Sequence, residues 1–283
     1  MTTETTDGRP IEPTRAEPAA ADANRSKSTP ATAGPESTTS SPSSASRPDR
    51  ANAWSGPVDR LVVGEMPRDA INLNVAGRRL VGPVQGFGRL WQKTYRVGLQ
   101  GSQASPEEVI RTWKAEFPTF WPKGNRFYGP LTGIAPGDVA VLNLSMPGGQ
   151  VLSTGVVVIF ADDESFSFMT PEGHMFAALI TFSAERSVAD STEVLIQILL
   201  RANDPFWELS MGLGGHKVEN EFWLTTLHNL AARFGVDATA TQEQVCVDRR
   251  RQWRNARNIR QNAAIRSAIW TLTHPQRLLR RGR

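Results

Sequence analysis

One stretch constrains the fold of this chain more than any other. Residues Lys217 to Phe234 contain neither Gly nor Pro. At the helical period, Trp223, Leu224, Leu227, Leu230, Ala231 and Phe234 fall in one sector roughly 120° wide. Glu221, Thr225, His228, Asn229 and Arg233 lie outside it, and Gly235 is a natural C-cap. A helix with one broad apolar face must lay that face on a second layer. The segments before it supply the layer.

Trp91, Lys93, Tyr95, Val97 and Leu99 alternate with Gln92, Thr94 and Arg96, the period of a strand. Val139 to Leu144, Val151 to Phe160 and Thr192 to Leu200 are aliphatic runs bounded by turn residues. Ser165 to Met169 and Met175 to Phe182 flank Pro171-Glu172-Gly173-His174, which predicts a hairpin. A first helix is signalled at Ser105-Pro106-Glu107-Glu108: an N-cap, a proline at the first helical position and a capping-box Glu. Val109, Ile110 and Trp113 give it an apolar face, and Pro118 ends it. The order is strand, helix, many strands, long helix. It predicts an α+β fold with helices on one face of an antiparallel sheet.

Composition sets the borders. Ile11 is the only large aliphatic residue in 1–53, and that stretch has no aromatic. Such a segment cannot offset its chain entropy by burial and is expected to be a disordered tail. Residues 54–88, rich in Gly, Pro and Arg, are a lead-in segment with short apolar pieces. The central domain spans 89–235, and 236–283 is a linker with an Arg-rich helical arm. From Asp248 to Arg283 there are eleven arginines and one aspartate, a net of +10. The first 53 residues carry six basic and seven acidic residues, which leaves −5 on residues 54–247. The high isoelectric point therefore describes one segment and not a general nucleic-acid binder. The chain opens without an apolar run, no stretch reads as a membrane span, and Cys246 is the single cysteine. A cytoplasmic location is the expectation, with no internal disulfide and no cysteine-rich zinc site.

The run Ala104-Ser105-Pro106-Glu107-Glu108-Val109-Ile110-Arg111-Thr112-Trp113, followed by Phe120-Trp121-Pro122, resembles the opening of SRPBCC-superfamily proteins. These include START lipid-transfer domains, pollen-allergen-like proteins and polyketide cyclases. Phe166-Ser167-Phe168-Met169-Thr170-Pro171-Glu172-Gly173-His174 is similar to a bacterial subgroup of uncharacterised function. The resemblance implies a helix-grip fold: a curved antiparallel sheet around a long C-terminal helix, with a cavity between them. It further implies a small apolar ligand such as a lipid or polyketide. Fold alone does not choose between carriage and catalysis.

Each candidate residue has a plain reading beside the functional one. Trp223, Leu227 and Leu230, with Trp113, form a ligand wall or ordinary core; the core is the default for an apolar helix face. Asn220, in the same sector, is a polar anchor for the ligand or a solvent-touching residue near the helix start. Glu172 and His174 would be acid and base of a cyclase- or hydrolase-type enzyme if they faced the cavity, and are turn residues otherwise. His174, His216, His228 and His274 have no metal-ligand spacing, so neither metal nor cofactor is expected. Gly212 to Lys217 lacks the P-loop spacing and reads as a connector.

The arm allows a third reading, a ligand-sensing adaptor that engages nucleic acid or anionic membrane. Val245 to Leu272 has no Gly or Pro and is expected to be helical. Arg249, Arg250, Arg251, Arg254 and Arg257 would meet the polyanion, although along the helix Arg249, Arg254, Arg257, Arg260 and Arg266 scatter around the axis and line no one face. Apolar residues on two sides favour a helix docked on its own domain.

Overall fold

The fold is described from a computed structural model covering residues 50–67, 70–130, 133–146, 150–188 and 190–273. The expected tail lies outside these residues up to 49, as do His274 and the arginines after it.

Strand alternation sets the inner face of the sheet. β1 (Leu80–Val81) and β2 (Leu90–Gly98) precede α1 (Pro106–Glu116). Ser105 caps α1, its Oγ accepting the Glu108 N–H at 3.2 Å, and Pro106 takes the first turn. The chain tightens at once into a 3-10 turn, Phe117–Phe120, which buries Phe117 and Phe120. Six strands follow: β3 (Arg126–Tyr128), β4 (Val139–Ser145), β5 (Val151–Ala161), β6 (Ser165–Pro171), β7 (Phe176–Arg186) and β8 (Thr192–Ala202). Next come α2 (Pro205–Ser210), capped by Asp204, a π-helical turn over Met211–Gly215, and α3 (His216–Arg233). β9 (Thr241–Asp248), a 3-10 helix over Trp253–Gln261 and α4 (Ala263–Thr273) complete the described chain.

All pairings are antiparallel, in the order β3-β4-β5-β6-β7-β8-β2-β9, with β1 beside β6. This is a helix-grip α+β fold: β2 returns from the start of the chain to lie beside β8, and α3 crosses it. β1 and β9 both lie outside 89–235, so the sheet draws on the lead-in segment and on the arm.

Register stacks the core into rows. Phe166, Phe182, Ile196 and Tyr95 are successive cross-strand neighbours, ending at Gln242 on β9. Phe168, Ile180, Ile198 and Lys93 form the next row, ending at Gln244. Over these rows pack Trp113 and Phe117, edge-on to Phe166 and Phe182, and Trp223 against Phe182. The other face of the sheet has its own small core, with Leu61 and Val75 of the lead-in segment against Val139, Val141 and Val157.

The helix expected from Val245 is corrected at its start. Val245 to Asp248 belong to β9, which pairs with β2 from Leu90 to Arg96. The physical reason is the free edge of β2, whose row of unpaired N–H and C=O groups is a template on which an extended segment pairs. The helical remainder is itself broken at Asn262. Its Oδ1 accepts the N–H groups of Ala264 and Ile265 at 2.9 and 3.1 Å, an N-cap that starts α4 afresh. The arm rests on the domain: Asn262 Nδ2 donates to Asp204, Asn74 Nδ2 donates to the Ala263 carbonyl and the Ser267 hydroxyl, and Arg201 holds Asp248 at 2.7 Å.

Candidate functional site: a buried polar cluster beneath the long helix

The inner face of β2 carries one residue out of keeping with its neighbours. Lys93 alternates with Tyr95 and Val97 into the core, and its side chain is 0% exposed. Its ammonium donates to Glu219 Oε2 at 2.6 Å and to Asn220 Oδ1 at 2.8 Å. Tyr95 donates its hydroxyl to the same Asn220 oxygen at 2.8 Å. Asn220 Nδ2 then donates to Gln242 Oε1 on β9 at 3.0 Å. Three elements thus meet through side chains: β2, the first turns of α3, and β9.

The electrostatics follow from burial. Desolvation raises the pKa of Glu219, and the Lys93 ammonium opposes that shift without cancelling it. Desolvation also raises the Tyr95 phenol, with the Glu219 charge adding to it, so the phenol stays a neutral donor. His216 stands edge-on to Trp91 at 5.0 Å. Burial, then the Lys93 charge, lowers it to about 4, so it is a neutral imidazole at pH 7. Glu219 Oε1 and His216 Nδ1 are buried without a hydrogen-bond partner. The cluster therefore offers one acceptor oxygen and one ring nitrogen to a further polar group.

Trp223, Leu227 and Leu230 are buried on the sheet side of α3, and Trp113 is buried on α1. These side chains pack on the aromatic rows, so the expected ligand wall is a filled core in this state. Two surface depressions lie elsewhere. One, of about 570 Å³, is bounded by the Phe117–Phe120 turn and the solvent side of α3, and includes Trp121, Lys123 and Asn229. The other, of about 220 Å³, lies between the β6–β7 turn and the arm, and includes Glu172, Asn203 and Arg257.

Glu172 and His174 are not brought to the cluster. Glu172 accepts the Arg79 N–H at 3.3 Å. His174 is buried, its Nδ1 accepts the Phe176 N–H at 3.0 Å, and desolvation lowers its pKa to about 4. His174 bonds within its own turn, whereas Glu172 ties that turn to Arg79 of the lead-in segment and borders the second depression. Among the described residues no group of His, Cys, Asp and Glu could hold a metal ion. In the arm, Arg250 pairs with Asp248 and Arg251 with Glu208, whereas Arg249, Arg254 and Arg257 have no acidic partner among the described residues.

Asn220 was legible as a polar residue in an apolar sector. Lys93 and Glu219 were missed, although a signal existed for Lys93. It sits at an inward position of a strand that otherwise points Trp, Tyr, Val and Leu the same way.

No family model matches the chain, and no curated protein matches it. Solved structures similar to it include the di-domain ARO/CYC StfQ from the steffimycin biosynthetic pathway, at 10% identity and a TM-score of 0.42. That match covers 52% of this chain and 53% of the other, so the chain spans about half the di-domain protein. The KanY protein matches at 11% identity over 53% of this chain and 99% of its own, with a TM-score of 0.40. Major latex-like protein 151 of Panax ginseng matches at 13% identity over 52% and 99%, with a TM-score of 0.34.

Proposed function

We propose that the domain binds or carries a small, mainly apolar ligand, whose single polar group is received by the Lys93–Glu219–Asn220–Tyr95 cluster. One observation carries this reading: an ion pair buried in an apolar row, with one carboxylate oxygen left unpaired. Stability does not require it. A buried ion pair contributes little or nothing relative to apolar side chains of the same volume. A polar handle at the end of an apolar wall is, in contrast, what orients a ligand in a pocket.

Access runs through the first turn of α3. The turn before it, Met211–Gly215, departs from helical geometry at Leu213 and at Gly214, whose φ of +112° is open to glycine. On this reading α3 would turn about that joint to admit a ligand, which would take the place of part of the aromatic packing. Lys93 is spent on an ion pair, and a paired ammonium is a donor and not a nucleophile. The reading is therefore of binding, with Lys93 as a hydrogen-bond donor to the ligand's polar end.

The test is native mass spectrometry of the protein purified from its own host. Wild-type protein is expected to retain a small molecule that the double variant K93M/E219L loses. Wild-type protein that is ligand-free and also takes up no naphthalene-sulfonate dye would end this reading.

A further inference from the structure

The arm has an order that its sequence conceals. Trp253–Gln261 is a 3-10 helix, with three residues per turn, so residues three apart line up in rows. The first row is Asn255, Asn258 and Gln261, and it docks the helix. Asn255 Nδ2 donates to the Gly86 carbonyl at 2.9 Å. Asn258 Nδ2 donates to the carbonyls of Gln85 and Asn203, each at 3.0 Å, and Gln261 Oε1 accepts from Arg78 at 2.6 Å. The second row is Arg254, Arg257 and Arg260. All three are exposed, and among the described residues none lies within ion-pair distance of an acid. Their spacing along the axis is about 6 Å. The third row holds Trp253, 74% exposed, and the exposed Ile259.

α4 continues the pattern. Ala263 and Ser267 are buried, while Ile265, Ile269 and Leu272 are exposed at helical spacing. Beyond the described residues the sequence adds Arg277, Arg280, Arg281 and Arg283.

We propose that this arm is a docking surface for an anionic lipid bilayer. The arginine row meets phosphate and acidic headgroups, and the Trp253–Ile259 row beside it enters the interfacial layer. Charge complementarity supplies the attraction: the segment from Asp248 carries a net of +10, which outweighs the −5 on residues 54–247 that an anionic surface repels. The apolar residues select the partner. A nucleic-acid backbone has no use for exposed Ile259, Ile265, Ile269 and Leu272, whereas an interfacial helix sets such residues beside its cations. Tryptophan at the level of the headgroups fits the same placement.

Each basic residue at an anionic surface strengthens partition about fivefold, so removing the row is expected to weaken it on the order of a hundredfold. The experiment uses the full chain at physiological ionic strength with vesicles of phosphatidylcholine, alone or mixed with phosphatidylserine. Wild-type protein is expected to co-sediment with the mixed vesicles only. R254Q/R257Q/R260Q is expected to lose that binding, and R111Q/K123Q, neutralised on other elements, to keep it. Single substitutions, each costing about fivefold, keep the test readable should the triple variant fail to fold. W253A is expected to weaken vesicle binding while leaving binding to heparin, a soluble polyanion, unchanged. Three results each overturn the proposal: a triple variant that binds as wild type, W253A weakening heparin and vesicles alike, or wild-type protein binding RNA more tightly than vesicles at the same salt. Absence of any vesicle binding overturns it as well.

Discussion

Substituting Lys93 with Met isolates the energetics of the buried cluster. Methionine fits the same stem in the Phe168–Ile180–Ile198 row but removes the ammonium. Glu219, whose Oε2 lies 2.6 Å from that ammonium, then loses its only charged partner among the described residues, in a buried site. Breaking a buried pair on one side costs about 3–5 kcal/mol, because the remaining charge is uncompensated. Part of the cost is avoidable, since Glu219 can take up a proton. Its pKa is already raised by burial and rises further without Lys93. A carboxyl whose folded pKa exceeds its unfolded value contributes stability below the unfolded pKa and loses it as pH rises through the folded one. K93M is therefore expected to cost more at pH 8 than at pH 5.5, the difference growing by about 1.4 kcal/mol per pH unit between the folded pKa of Glu219 in wild type and its higher value in the variant. Urea unfolding of wild type, K93M, E219L and K93M/E219L at both pH values gives the comparison. Both single variants should be destabilised, and the double variant should return to within about 1–2 kcal/mol of wild type or exceed it. If K93M costs less than about 1 kcal/mol at pH 8 with no pH dependence, the pair is not the buried, coupled unit described above.

Other perturbations test other parts of the fold. His174 has a folded pKa of about 4 against an ordinary 6.5. The unfolded chain therefore takes up its proton first as pH falls, and stability that is full above about 6.5 drops towards pH 4 by about 3 kcal/mol. H174N, whose amide oxygen can still accept the Phe176 N–H, should flatten that part of the curve in chemical denaturation from pH 7 to 4.5. Gly173 has φ +86°, and a Cβ there would collide with the Gln261 carbonyl. G173A should cost more than about 2 kcal/mol from left-handed strain plus the collision, and hydrogen exchange over 253–263 should rise as the Ala263 N–H loses the Gly173 carbonyl. S105A removes the α1 cap and should lower stability by about 1 kcal/mol in a thermal or urea melt, with S105D close to wild type.

The features legible along the chain are local. The period of Trp223 to Phe234 marks the face of α3 that lies on the sheet, and Trp223, Leu227 and Leu230 are buried there. Alternation in Leu90 to Leu99 and the turn residues at 171–174 marked β2 and the β6–β7 hairpin, because pleat and turn chemistry are written in neighbouring residues. Three matters belonged to the tertiary structure. Lys93 could be seen to point inward, but not what it would meet; Glu219 and Asn220 lie more than a hundred residues on, joined to it only when α3 crosses β2. Val245 to Asp248 became a strand because the edge of β2 lay free beside it, a condition that no local propensity encodes. The arginines of the arm looked scattered when set on 3.6 residues per turn. Docking through Asn255 and Asn258 holds the helix at three residues per turn instead, and only at that period do Arg254, Arg257 and Arg260 form a row.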